Sequence, residues 1–410
     1  MTSKATVVLA NPGVRNALFS VNGLSTPLPD DDPLPAVTAT SGSSWAHKAL
    51  LRLAYVQVDS IAAVERAQHH ILFSRNDRYR PADLRKALEV DRTAFENWTH
   101  SAAVLPVDCY PYWKHYFRRF RNGETHPGYG RYFSQVTASM RSRVLKAVRE
   151  RGPLAPRDVV SRKAEWTDPY FARPSLAKMT MEYLWRAGTL AVTRRNGQEK
   201  VYDLADRVVP GHHRNRTVTR AQFVEWTCVE ALKRLVAATP AQISRFFHAV
   251  SLDEAGAWCE KHRGKTVQAV ALTCADGQIV RGLYGLTSVV DRLDSFPDPP
   301  AGLRVLNPFD PLVHDRGSRR TPRIFGFEQR MEIWVPPEKR RYGYYVLPIM
   351  EGNRFTGRVD TNLERSEGAL RVLGLWWEQG VGRSSARIAR LRRELEKLAR
   401  FAGAEHVAGL

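Results

Sequence analysis

The chain has 410 residues, enough for roughly two to four domains of about 100–200 residues each, and a formal net charge of +20 from 62 Lys+Arg against 42 Asp+Glu. A hydrophobic content of 43% excludes wholesale disorder, and no apolar run reaches the roughly 18 residues that a membrane-spanning helix needs. The four cysteines (Cys109, Cys228, Cys259, Cys274) contain no CxxC pair, which excludes a zinc ribbon or thioredoxin-like motif and points to a reduced, cytosolic protein.

In chain order, Ala5 to Ala10 is too short for a secretory apolar region, and Asn11-Pro12-Gly13 follows at once. Val14 to Gly23 is helix-like, and then a Pro/Asp-rich loop, Pro27 to Pro35, leads to the Ser/Gly/Thr cluster Thr38 to Ser44. Trp45 to about Leu105 reads as helical, with Ile61, Val64, Ala67 and Ile71 on one face. Helices are predicted at Met140–Arg151, Arg157–Arg162 and Pro174–Ala187, with Pro174 suited to a first turn. Strands Leu190–Arg194 and Lys200–Leu204 flank Asn196-Gly197, a type I′ hairpin signal. Helix, helix, helix, hairpin is the order of a winged helix. A second copy follows, with helices Ala221–Ala237, Pro240–Ala249 and Leu252–His262, the last capped by Ser251, and strands Val267–Thr273 and Ile279–Tyr284. From Gly302 the pattern turns to strands, at Arg323–Phe327, Met331–Val335, Gly343–Ile349, Phe355–Asp360 and Ala369–Trp377. An amphipathic helix, Ala386–Ala402, closes the chain with Ile388, Leu391, Leu395 and Leu398 on one face.

The charge makes a polyanion the leading partner. In a winged helix the third helix enters the major groove and the wing reaches the backbone. Arg186 near the end of that helix, and Arg194 and Arg195 on the wing, are placed for such contacts. Further basic runs are Arg118-Arg119, Arg319-Arg320, Lys339-Arg340-Arg341 and Arg392-Arg393. Tyr342, Tyr344 and Tyr345 follow one of them, either to stack on bases or to line a sheet core. The alternative for the basic faces is ordinary solvation, and for the winged helices a protein–protein role.

One segment stands out as reactive. In Tyr55-Val56-Gln57-Val58-Asp59-Ser60-Ile61 an amide and a carboxylate lie two residues apart, on the same side of an extended chain. Gln57 and Asp59 would then face one reacting centre with Val56 and Val58 packed behind. The competing reading makes Asp59 the N-cap of a helix from Ser60 to Ser74. Glu65, His69 and His70 are too few for a metal site. His100 and Trp98, in Phe95-Glu96-Asn97-Trp98-Thr99-His100, form either part of a pocket or a satisfied buried cluster. No Gly-rich phosphate loop, HExxH or GxSxG is present.

These residues resemble the YcaQ/AlkZ-type DNA glycosylases. The resemblance is carried by the Gln57 segment continuing to Leu72-Phe73-Ser74-Arg75, by Phe95 to His100 with Leu105-Pro106, and by Leu184-Trp185-Arg186-Ala187-Gly188. Asn307-Pro308-Phe309-Asp310-Pro311-Leu312, Tyr342 to Pro348 and Gly357-Arg358-Val359-Asp360 also match. It runs from about Val14 to Trp377. It implies an α+β fold of three tandem winged helices and a small antiparallel β-barrel-like C-terminal domain, arranged as a C-shaped clamp on duplex DNA. The implied divisions are 1–135, 136–215, 216–298 and 299–410. The implied activity is monofunctional excision of N7-alkylated purines, including unhooking of interstrand crosslinks, with neither cofactor nor metal. The family's Gln-apolar-Gln or Gln-apolar-Asp motif is here Gln57-Val58-Asp59, the form of the YcaQ branch, whose substrate range is broader than that of the toxin-specific branch. The partner expected is duplex DNA carrying alkylated or crosslinked purines, bound by a monomer in the bacterial cytoplasm and nucleoid. A winged-helix transcription regulator is the alternative from another class, and an RNA-processing protein a third. Because a crosslinked base is tethered to both strands, a shallow or open site is expected.

Overall fold

A computed structural model describes residues 6–25, 34, 42–125, 127–159, 176–313 and 319–410. The expected loop at Pro27–Pro35 apart from Leu34, the stretch Thr38–Ser41, the end of the short helix at Val160–Arg162 and Pro174 lie outside them. Among the described residues four sheets and their surrounding helices make a mixed α+β fold.

Two stretches share one order of elements. Helices Ala138–Arg151, Pro156–Val159 and Leu176–Arg186 lead into the hairpin Leu190–Asn196/Glu199–Leu204. Helices Arg220–Leu235, Pro240–Phe247 and Leu252–His262 lead into the hairpin Val267–Thr273/Ile279–Leu286. Local chemistry sets the helix starts. Thr219, Thr239 and Ser251 each accept the backbone N–H three residues on, and Gln222, Gln242 and Glu254 reach back to the cap N–H. These capping boxes satisfy donors that a helix end otherwise leaves open. The first hairpin turns differently from expectation. Asn196 still pairs with Glu199, so the two central residues are Gly197 and Gln198. Only Gly197 has positive φ (62°), the pattern of a type II′ turn.

The second hairpin is not left as two strands. Val7–Leu9 adds beside it in parallel, Val7 opposite Val270 and Leu9 opposite Leu272. The following helix, Asn11–Val21, is anchored by Asn11, whose amide donates to Thr273 O and Ile324 O, both at 3.0 Å.

The stretch read as helical from Trp45 to Leu105 is helical only in part, at Ser43–Leu53, Ala67–Phe73 and Pro81–Glu89. Its last part is a hairpin, Ala94–Trp98/Ala102–Pro106, with Val56–Gln57 on the outer edge of Ala102–Pro106. The predicted helix over Ser60–Ser74 begins only at Ala67. Tertiary packing overrides the periodicity there. Ile61 and Val64 pack into the C-terminal domain, whereas Ala67 and Ile71 belong to a different core. Ala63 O accepts from Leu363 N–H at 3.0 Å, so this backbone is satisfied by the C-terminal sheet instead of by a helix.

The C-terminal sheet has five strands curled into a half-barrel, in the order His406–Ala408, Ala369–Trp377, Arg354–Glu364, Val346–Glu351 and Leu303–Val305. Helix Ser385–Phe401 covers it with Leu391, Leu395 and Leu398. Two predicted strands are corrected. Arg323–Phe327 falls largely in a short helix, Arg320–Phe325, which buries Ile324 and Phe325 and ends at Gly326 in the left-handed region. Met331–Val335 is a turn, because the Glu332 carboxylate is captured by the N–H groups of Arg341, Tyr342 and Gly343 at 2.8–3.2 Å. No helix among the described residues is long and apolar enough to cross a membrane.

Candidate active site

Gln57 sits at the edge of the three-stranded sheet, opposite Ala103. Strand alternation divides the side chains. Val56, Val104 and Glu96 share one face, and Gln57, Ala103 and Asn97 the other. Val56 is fully buried and Val58 packs against the same core, as the sequence pattern requires. Val58 N–H still donates to Ala102 O at 2.8 Å, so the chain stays extended up to Asp59.

The Gln57 side chain is 6% exposed and is oriented by one contact. His100 Nε2 lies 2.9 Å from Gln57 Oε1. Since the carbonyl oxygen only accepts, Nε2 is the donor, and Nδ1 lies 3.1 Å from Thr99 Oγ1. The Gln57 amino group is thereby the end left to meet a ligand. His100 is held between Tyr55, with ring centroids 6.2 Å apart, and His248, at 6.0 Å. His248 comes from the end of helix Pro240–Phe247, in the left-handed region at φ 54°. Nothing in the sequence connects it with Gln57, since the meeting depends on how two distant hairpin units pack.

Asp59 is half-buried, and its Oδ1 accepts from Ile61 N–H at 2.8 Å. It is not a helix cap, because Arg66 occupies that position for Ala67–Phe73. It lies where the first unit meets the half-barrel. Burial pushes the nearby Tyr345 hydroxyl up, and the Asp59 charge adds to the rise. Behind that junction Asn307 hydrogen-bonds Tyr345 and lies 3.4 Å from His70 Nδ1, and His70 Nε2 donates to Val305 O at 3.1 Å. Asp310 pairs with Arg75, both side chains being almost wholly shielded from solvent. These residues fasten the Gln57–Asp59 segment to the C-terminal sheet. No three His, Cys, Asp or Glu side chains converge as metal ligands among the described residues.

A family model described as DNA glycosylase AlkZ-like matches residues 50–401. The chain belongs to the AlkZ-like DNA glycosylase family. It is a DNA-binding repair enzyme of that class. The solved structure of the Streptomyces sahachiroi DNA glycosylase AlkZ has the same fold, with a TM-score of 0.62 and 14% identity, covering 98% of this chain and 99% of that one.

Within this glycosylase the other expected site residues divide sharply. Trp98 shares the face of Glu96, away from Gln57, and lies under Arg186, whose guanidinium is 3.4 Å from its ring centre. Arg186 is 4% exposed and pairs with Glu182 at 2.6 Å, so it is turned inward and not toward a groove. Arg195 grips Glu96 through two 2.7 Å hydrogen bonds, tying its hairpin to the sheet that carries Gln57. Trp98, Arg186 and Arg195 are thus scaffolding in this structure. Arg194, Arg319, Lys339 and Arg341 are exposed. Arg320 donates to Leu235 O, and Arg340 donates to Val335 O at 2.8 Å. Tyr342 packs between Arg358 and Trp376, Tyr344 is exposed and Tyr345 is buried, so the three tyrosines serve three different surroundings.

Proposed function

We propose that this glycosylase hydrolyses the N-glycosidic bond of N7-alkylated purines in duplex DNA, interstrand crosslinks included, with Gln57 and Asp59 as catalytic residues. The observation that carries the reading is the Gln57 amide fixed by His100 Nε2 two residues before a half-exposed carboxylate on an extended chain. An N7-alkylguanine already bears positive charge and leaves without a general acid, whereas ordinary glycosidases use a second carboxyl to protonate the leaving oxygen. One carboxylate therefore suffices. Asp59 stabilises the oxocarbenium-like sugar and takes a proton from the attacking water. The Gln57 amino group donates to that water's oxygen and orients it. No Schiff base forms, so the product is an abasic site in an intact strand.

In this reading the two repeated helix–hairpin stretches and the first unit act as three winged helices, within divisions 1–135, 136–215, 216–298 and 299–410. They form, with the half-barrel, a clamp on the duplex. Arg194, Arg319, Lys339 and Arg341 are its exposed phosphate contacts. The test is single-turnover release of 7-methylguanine from a labelled duplex. Native protein releases the base, and Asp59→Asn is slowed by about 10²–10⁴-fold with duplex affinity unchanged. Equal release by both removes Asp59 from the mechanism. A crosslinked duplex tests unhooking in the same format.

A further inference from the structure

A second concentration of charge lies on the helix Tyr110–Arg121. Trp113 and Tyr116 of this helix hold the hairpin that carries His100, through hydrogen bonds to Asn97 and to Thr99 O. Lys114, Arg118 and Arg121 fall at positions i, i+4 and i+7, on another flank. That flank is one wall of a cleft of about 660 Å³. The remaining walls come from Arg149 on helix Ala138–Arg151, from the turn at Gly188 and Thr189, and from Arg214 on the segment leading to the next unit. Three separate parts of the chain thus deliver five cations to one space, against the single carboxylate of Asp206.

Some arginines elsewhere in this glycosylase are paired, as in Arg75–Asp310, Arg195–Glu96 and Arg358–Glu378. Arg119, the neighbour of Arg118, faces Glu124 at 3.6 Å. Lys114, Arg118, Arg121, Arg149 and Arg214 have no carboxylate partner among the described residues. Lys114 is instead positioned by neutral carbonyls, Arg214 O at 3.0 Å and Arg216 O at 2.6 Å, and Arg121 by Ala187 O at 2.6 Å. These contacts fix the groups without cancelling their charge. Arg214 Nε is shut off from solvent and has no hydrogen-bond acceptor. Gly188 lets the turn pack closely on the helix Tyr110–Arg121. It has φ 74°, and a Cβ there would lie 2.2 Å from the Phe117 ring. Uncompensated like charges at close quarters oppose folding unless an anion joins them.

We infer that this cleft binds backbone phosphates of the DNA duplex at a distance from the damaged base. Arginine forks suit phosphate oxygens, and the Phe117 and Leu204 walls suit the intervening sugars. The inference rests on the DNA-binding character of the family and not on the roles of Gln57 and Asp59.

The experiment measures binding of the full chain to an undamaged duplex over a range of salt concentrations. It compares native protein with Arg118→Ala/Arg149→Ala, two exposed positions. A control, Arg365→Ala/Arg393→Ala, removes the same charge from exposed positions of the C-terminal domain. Each lost phosphate contact lowers the slope of log K against log salt by about 0.9, so the cleft variant should lose nearly two units of slope and the control little. An unaltered slope, or an equal loss in the control, overturns the inference. So does a variant that loses binding of free tripolyphosphate while keeping the native duplex slope, which would make the cleft a site for small phosphates. Because the duplex is undamaged, failure here is distinguishable from failure of the Asp59 mechanism.

Discussion

The two faces of the sheet that carries Gln57 differ in how completely their polar groups are paired. On the Gln57 face the amide oxygen is held by a single histidine, and the amino group is left to meet a ligand. On the opposite face Glu96 is buried and bound at both carboxylate oxygens by Arg195. The Gln57 face keeps a donor in reserve, while the opposite face is closed by paired charges. Alternation along a strand makes this separation possible, because neighbouring residues are committed to opposite sides.

The comparison is sharpened first at His100. Its replacement by Ala should slow excision about ten- to hundredfold through loss of the Gln57 orientation, with duplex affinity retained. His100→Asn keeps an N–H donor and should recover part of the rate. If Asn is no better than Ala and both melt early, the histidine is only packing. On the other face, Glu96→Ala leaves the Arg195 guanidinium without its acceptor and should cost about 2 kcal/mol of stability, read from the urea midpoint. Excision per folded molecule should stay at the native value, and a loss of rate without a loss of stability would show that the faces are not separate. The joint with the half-barrel shows its effect only at acidic pH. Burial holds His70 down at about 4, below its ordinary 6.5. As pH falls from about 6.5 toward 4 the unfolded chain takes up a proton that the folded chain refuses, so stability declines by up to about 1.4 kcal/mol per pH unit. Above pH 6.5 His70 adds no slope. His70→Gln should reduce this slope, leaving the part due to His69, which burial also holds down at about 4, and an unchanged slope would place the titrating group elsewhere.

Much of the architecture was legible because it is set locally. Capping signals and 3.6-residue periodicity locate the helices of both repeated stretches, and Leu252–His262, Val267–Thr273 and Ala369–Trp377 run as expected. For the Gln57–Asp59 segment the sequence leaves two readings, an extended chain with Val56 and Val58 on the buried side or a helix capped by Asp59, and the structure has the extended one. What the sequence conceals is set by distant partners. Ile61 and Val64 look helical but are claimed by the half-barrel. Arg186 and Arg195 look like surface cations until Glu182, Trp98 and Glu96 are seen beside them. The approach of His248 to His100 across 148 positions has no sequence signal. The motif Tyr342-Gly343-Tyr344-Tyr345 owes its glycine to a neighbour it cannot name, since a Cβ at Gly343 would fall 2.0 Å from Asp360 Oδ2.

The parallel pairing of Val7–Leu9 with Val270–Leu272 places a constraint on the order of events during synthesis. The first strand leaves the ribosome without its partner, and at about 5–20 residues per second it waits tens of seconds for the matching segment to emerge. Asn11 must wait longer, for Ile324. The beginning of the chain therefore completes its structure late, after the middle units have formed, and a polypeptide halted before about residue 290 would carry its N-terminal strand unpaired.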